Sequence, residues 1–191
     1  GTGLYASVVF RPPLLSPVLT LMSGVALVEA IRCRVGLAVV LKWPNDLIVK
    51  RGVNRKLGGI LAEAGASPTG VDYVVVGFGI NLLAASNLSA LSDTATSIES
   101  ECGEVIPLAD LLVEVLAALA VWRARMVDGQ MNAILNRWRT LSPSSIASTV
   151  ELDGSSGVRR GTTAGIDTDG ALLVRVNGTT ERVVSGEVRW V

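Results

Sequence analysis

The stretch KWPNDLIVKRGVNRKLGGIL, Lys42 to Leu61, decides how this chain is read. It has the look of two β-strands and a turn, and Arg51-Gly52-Val53-Asn54 has the length and composition of a hairpin link. Its special residues are dense for strands built only to pack. Pro44 cannot donate a ladder hydrogen bond and pushes Trp43 toward extended geometry, so the first strand must kink or leave the sheet edge there. Asn45 and Asp46 bring side-chain oxygens to that break. Across the turn, Lys56 is followed by Gly58 and Gly59, and two glycines inside a strand weaken it unless another backbone or a ligand comes close. A lysine beside bare backbone is a cradle for a carboxylate or a phosphate.

Working outward, Leu4 to Phe10 is rich in β-branched and aromatic residues and reads as a strand. Ser16 is expected to cap a helix that has Pro17 at its first position. Val18, Leu21, Met22, Val25 and Val28 follow at helical spacing, and Gly36 ends the run. Strands are expected at 38–43, 47–50 and 57–64. Tyr73 to Val76, flanked by Gly70 and Gly77, reads as a short, buried central strand. It leads into Gly77-Phe78-Gly79-Ile80-Asn81, small residues and then an amide at a strand end. This is no dinucleotide fingerprint, because the position of the required third glycine is Leu82. The segment from Ala84 to Cys102 is polar and Ser/Ala-rich, a loop with a short helix near its end. Helices are expected over 108–127, striped by Leu111, Val115, Leu119 and Trp122, and over 131–140. From Pro143 onward short strands alternate with turns such as Asp169-Gly170 and Asn177-Gly178, the pattern of a small all-β barrel. The division predicted is an α/β (α+β) domain over 1–143 and a barrel of SH3-like size over 144–191.

Composition narrows the chemistry. Of 191 residues, 49% are apolar and 18% charged, so a sizeable core can form. Seventeen basic residues balance seventeen acidic ones, which argues against a general electrostatic nucleic-acid binder. There is no histidine, which excludes Ser-His-Asp and Cys-His machinery and the common zinc sites. The two cysteines, Cys33 and Cys102, have no metal-ligand spacing. The longest uncharged apolar stretch, Leu14 to Val28, is short for a membrane span. No signal peptide is evident, and a reducing, cytoplasmic compartment is expected.

KWPND at Lys42–Asp46, RKLGGIL at Arg55–Leu61 and VVGFGINL at Val75–Leu82, in this order, resemble the biotin–protein ligase family (biotin–acetyl-CoA-carboxylase ligases). GIDTDGALLVRV and VVSGEV near the end resemble that family's C-terminal domain. The resemblance implies a mixed sheet with helices, related to class II aminoacyl-tRNA synthetases, followed by an SH3-like barrel. It implies that biotin and ATP, with Mg2+, form biotinyl-5′-AMP, and that biotin then passes to a lysine of a biotin carboxyl carrier protein domain. A homodimer is compatible with it. By the same resemblance Lys56 contacts the biotin carboxylate and the α-phosphate. Gly58, Gly59 and Ile60 line the biotin pocket, and Lys42 and Trp43 belong to its motif. Asn45 and Asp46 sit at the phosphates and the metal, or organise the carrier lysine. Asn81, with Gly77 and Gly79, lies near the nucleotide.

The chain departs from the family at its ends. It begins at Gly1, after the place where the family carries a Gly/Arg-rich adenylate loop and a Ser-Thr-Asn segment, so little activity is expected of it alone. No helix-turn-helix precedes the strand at Leu4, so DNA binding is not expected. Val191 stands where many members carry a basic residue. The alternatives are a lipoate–protein ligase relative and a non-catalytic binding module.

Overall fold

The computed structural model describes residues 2–11, 16–68, 70–84, 94–154, 157–184 and 188–191. Pro12 and Pro13, most of the loop expected after Ala84, and parts of the turns at Ser155-Ser156 and Ser185-Gly186-Glu187 lie outside them. The first sheet is formed by β1 (Gly3–Phe10), β2 (Val39–Lys42), β3 (Asp46–Arg51), β4 (Val53–Ser67) and β5 (Gly70–Asn81), in the order β1-β5-β4-β3-β2. Its helices are α1 (Leu19–Val35), α2 (Ile98–Cys102), α3 (Leu108–Val127) and α4 (Met131–Leu141). A single 3-10 turn, Pro143–Ser145, leads to β6 (Ile146–Gly154), β7 (Gly157–Ile166), β8 (Leu172–Val176), β9 (Thr179–Val183) and β10 (Val188–Trp190). These make a second sheet in the order β10-β6-β7-β8-β9.

Alternation sorts the first sheet into two faces. Leu4, Leu47, Leu57, Ile60, Val76, Phe78 and Ile80 point inward and are buried, while Tyr5, Val9 and Leu61 point outward and are exposed. The inner face is covered by α1, which is buried nearly all round because α3 and α4 pack on it as well. This explains an apolar helix without a polar face. The stripe Leu111, Val115, Leu119 and Trp122 of α3 is buried as its spacing predicts. Glu29 of α1 ties the layer together, accepting from the Trp122 indole at 2.7 Å and from Arg137 at 2.7 Å. Among the described residues no helix is long and apolar enough to cross a membrane.

Three expectations change. Every ladder among the described residues is antiparallel, with one isolated parallel bridge from Lys56 to Ala95, so the sheet is not mixed. The run at Tyr73 is part of a 12-residue strand, and its burial is confined to the inward positions Val76, Phe78 and Ile80. A continuous apolar run mimics a strand covered on both sides, but here one face has no covering layer. Ser16 closes the turn ahead of α1, its hydroxyl accepting from Val18 at 3.2 Å, while the helix itself starts at Leu19 without a side-chain cap. Gly36 ends α1 in the left-handed region as expected, with φ +67°.

In the second sheet Asn177 and Gly178 both have positive φ, +50° and +84°, the geometry that a tight two-residue hairpin requires. Among the described residues no ladder joins β9 to β10, so this unit is a five-stranded antiparallel sheet. The turn before β8 is built on Asp167, whose carboxylate accepts from the Asp169 and Ala171 amides at 2.9 and 3.0 Å and pairs with Arg182. Burial pushes the Asp167 carboxyl up. The Arg182 hydrogen bond and the two amides outweigh it and hold the group below the usual carboxylate range.

Glu29→Ala leaves the Trp122 N–H without its acceptor and should cost about 1–3 kcal/mol, read from the urea midpoint. Asp167→Ala should cost about 1 kcal/mol at neutral pH through its lost backbone bonds. Because the folded-state pKa is depressed, the wild-type advantage is complete above the unfolded value of about 3.9 and fades as pH falls through the folded one. The two proteins should therefore converge in stability below about pH 4.

Candidate active site

The β3–β4 hairpin sets the site. Register runs Leu47 opposite Gly58 and then Ile48 opposite Lys56, so Leu57 is the extra residue of a β-bulge. Leu57 and Gly58 therefore both turn inward, and Lys56 comes out on the open face. There its ammonium meets Asp46 Oδ1 at 2.5 Å, with half of the lysine side chain exposed. An ion pair this open contributes about 0–1 kcal/mol, so its value lies in placing the two groups rather than in stability. The break between β2 and β3 carries a cis Trp43–Pro44 peptide. It is pinned by Asn45, whose Nδ2 donates to Ile60 O at 2.6 Å and whose carbonyl accepts from Ile60 N at 3.0 Å.

The glycines divide into two kinds. A Cβ on Gly58 would lie 2.3 Å from Gly79 O, so Gly58 is required by the neighbouring backbone and leaves no room for a ligand. A Cβ on Gly59 would meet Lys56 Cε and Nζ at 3.3 and 3.4 Å, so Gly59 is the bare floor over which the lysine lies. Gly79 is covered by the Tyr5 ring across the strand, at 3.0 Å from a would-be Cβ. Gly77 has ordinary contacts only, and with Gly59 it opens the outward face of the sheet.

Of the remaining predicted residues, Trp43 is buried, and its indole donates to Gly170 O at 3.0 Å in the second sheet, which makes it a packing and docking residue. Ile60 is also buried, in the inner core. Lys42 lies opposite Asp46 and holds its ammonium 4.8 Å from the centre of the Trp190 ring. Asn81 donates to Thr96 O at 2.9 Å, and Lys56 exchanges backbone bonds with Thr94 and Thr96 at 2.8 and 2.9 Å. Asn81 and Lys56 are thus joined through the segment 94–97. Behind it, buried Glu101 accepts from Thr96 Oγ1 at 2.6 Å and pairs with Arg55 at 2.8 Å. A cavity of about 370 Å3 lies against Lys42, Asp46 and Lys56, walled by Trp190 and Ser144 from beyond the first sheet. Sequence reasoning missed the segment at Thr94, the Glu101 anchor and Trp190. A Ser97 N-cap ahead of Ile98 was the one local signal for the first two, and nothing local announced the third.

The arrangement is thus a lysine–carboxylate pair on an open antiparallel sheet, beside a loop anchored by the Asn81 amide. The model of the biotin/lipoate A/B protein ligase family matches residues 1–81. The chain is 30% identical to the bifunctional ligase/repressor BirA of Bacillus subtilis, over 98% of this chain and 58% of that protein. It is 30% identical to the biotin--[acetyl-CoA-carboxylase] ligase of Paracoccus denitrificans, over 89% of this chain and 71% of that protein. The fold matches that of the Aquifex aeolicus biotin protein ligase in complex with biotin and ATP, with TM-score 0.82 and 24% identity, over 99% of this chain and 78% of that one. The chain belongs to the biotin–protein ligase family. It spans somewhat over half the length, 58%, of the BirA proteins it matches.

The two adjacent glycines should respond differently to a methyl group. Gly58→Ala should destabilise the fold by about 1–3 kcal/mol or more, since the β5 backbone must move. Gly59→Ala should leave the denaturation midpoint nearly unchanged, because the half-exposed Lys56 side chain can shift, while moving its ammonium off Asp46. Circular dichroism melts of both variants check the contrast.

Proposed function

We propose that the cavity around Lys56 serves ATP-dependent biotinylation of a carrier protein. The observation that carries this reading is the Lys56–Asp46 pair, held at 2.5 Å above Gly59 on the open face of the sheet. In the first step a biotin carboxylate oxygen attacks the α-phosphorus of ATP. The bond from that phosphorus to the oxygen bridging to the β-phosphate breaks, and pyrophosphate leaves with the electron pair. Negative charge grows on the α-phosphoryl oxygens, and the fixed Lys56 ammonium stabilises it. In the second step the carrier lysine amine attacks the carbonyl carbon of biotinyl-5′-AMP, and AMP leaves. Asp46 is the carboxylate at hand to take the proton of that amine.

Gly77 offers uncovered backbone for biotin and Gly59 the floor beneath Lys56, while Asn45 and Asn81 act by holding the break and the 94–97 segment in place. Gly58 and Gly79 contribute by letting the strands and Tyr5 close up. The residues do not form a metal site by themselves. Among the described residues no group of three or more Asp, Glu, Cys or His side chains is clustered, and Asp46 is engaged by Lys56. A magnesium ion would come with the nucleotide phosphates, as such ions commonly do. The same reading includes a boundary near residue 143, an SH3-like curl of the second sheet, a homodimer, and a reducing cytoplasmic compartment. It is supported by the short tight-turned strands and by the free thiols of Cys33 and Cys102.

The test is pyrophosphate release and label transfer to a biotin carboxyl carrier domain from biotin and MgATP, with a parallel reaction containing lipoate. Transfer of biotin but not of lipoate is expected. No release from either acid, together with no biotin binding, would overturn the reading in favour of a non-catalytic module. Lys56→Ala should lower adenylate formation at least about a hundredfold while leaving the circular dichroism spectrum and melting temperature unchanged.

A further inference from the structure

The cavity extends past Lys56 to residues that the scheme above leaves without a task. On the outward face Asp46, Ile48 and Lys50 follow one another along β3, and Lys56 and Asn54 stand opposite the last two. Lys50, Asn54 and Lys56 all line the cavity. One same-face step along a strand is about 7 Å, so Lys50 lies that far beyond the position of Lys56 along the row. The terminal phosphate of a nucleoside triphosphate lies two P–O–P links beyond the first, a reach of the same order.

Charge points the same way. The chain as a whole is neutral, yet three lysines line this cavity against one carboxylate, Asp46. Many of the arginines elsewhere are matched, as Arg34 is with Asp110, Arg137 with Glu29 and Arg160 with Glu151, while Arg11 and Arg125 lie over aromatic rings. Among the described residues Lys50 has no carboxylate partner, and Lys42 faces an aromatic ring rather than an acid. A concave site with an excess of positive charge concentrates a polyanion, and the Asn54 amide adds donors that a phosphate oxygen can accept.

We infer that Lys50 and Asn54 bind the β- and γ-phosphates of the nucleotide and hold the pyrophosphate as it leaves. The inference rests on the adenylate-forming reading of Lys56 and extends it to the leaving group. When the α-phosphorus–oxygen bond breaks, the electron pair goes to pyrophosphate, and the added charge is met by Lys50 at the far end of the row. Lys56 and Lys50 then divide the work, one stabilising the reacting phosphoryl group and the other its departing partner.

The experiment is calorimetric titration of the full chain with inorganic pyrophosphate, and separately with biotin. Saturable pyrophosphate binding that weakens with added salt is expected. Lys50→Gln should weaken it about tenfold and Asn54→Ala less, with Lys50→Arg restoring most of the affinity. Both side chains are at a hairpin end, so melting temperatures should not move, and biotin affinity should be the same in all variants. Equal pyrophosphate affinity in the wild type and Lys50→Gln, or no pyrophosphate binding by a chain that binds biotin, overturns the inference and leaves the biotin reading standing. Lys50-dependent pyrophosphate binding by a chain that ignores biotin leaves the phosphate row standing and removes the biotin reading.

Discussion

The site depends on one extra residue. If β4 alternated without interruption, Lys56 would share a face with Gly58 and Ile60 and would point at α1. The bulge at Leu57 adds a half-step. Leu57 sinks to zero exposure in the core, and Lys56 emerges beside Asp46. The same half-step turns Arg55 toward the buried Glu101 and puts Asn54 on the cavity side. A single register shift thus keeps the core apolar and keeps a lysine out of it, where an unpaired charge would be prohibitive.

Around that bulge the two sheets are mutually dependent. Trp43 sits at the break that Pro44 imposes and reaches the Gly170 carbonyl of the second sheet. Arg139 of α4 bonds Ile166 O at 2.9 Å close by. At the other end of the second sheet, Trp190 stacks under Lys42 and walls the cavity. The last strand therefore lines the same cavity as Lys56 and Asp46.

The glycines show how one residue type serves separate needs. Gly58 exists for the Gly79 carbonyl, Gly79 for the Tyr5 ring, and Gly59 for the Lys56 side chain. A string such as GGI or GFG signals that something approaches the backbone closely, but in all three of these cases the approaching group is the protein itself.

The sequence by itself determined a good deal. The α3 stripe, the hairpin link at Gly52, the αL stop at Gly36 and the Asn177-Gly178 turn were legible because each follows from local φ/ψ limits or from helical period. The resemblance of KWPND, RKLGGIL and VVGFGINL singled out Lys56, Asp46, Asn45 and Asn81 as residues of one site, without pairing Lys56 with Asp46. Only the tertiary structure decided what these residues touch. It buried Trp43 against a turn distant in the chain, made Asn45 and Asn81 into struts, and brought Trp190 and Lys50 to the same cavity. The physical reason is that side-chain direction in a strand follows from register, and register is set by bulges and by partner strands remote in sequence, which local pattern does not encode.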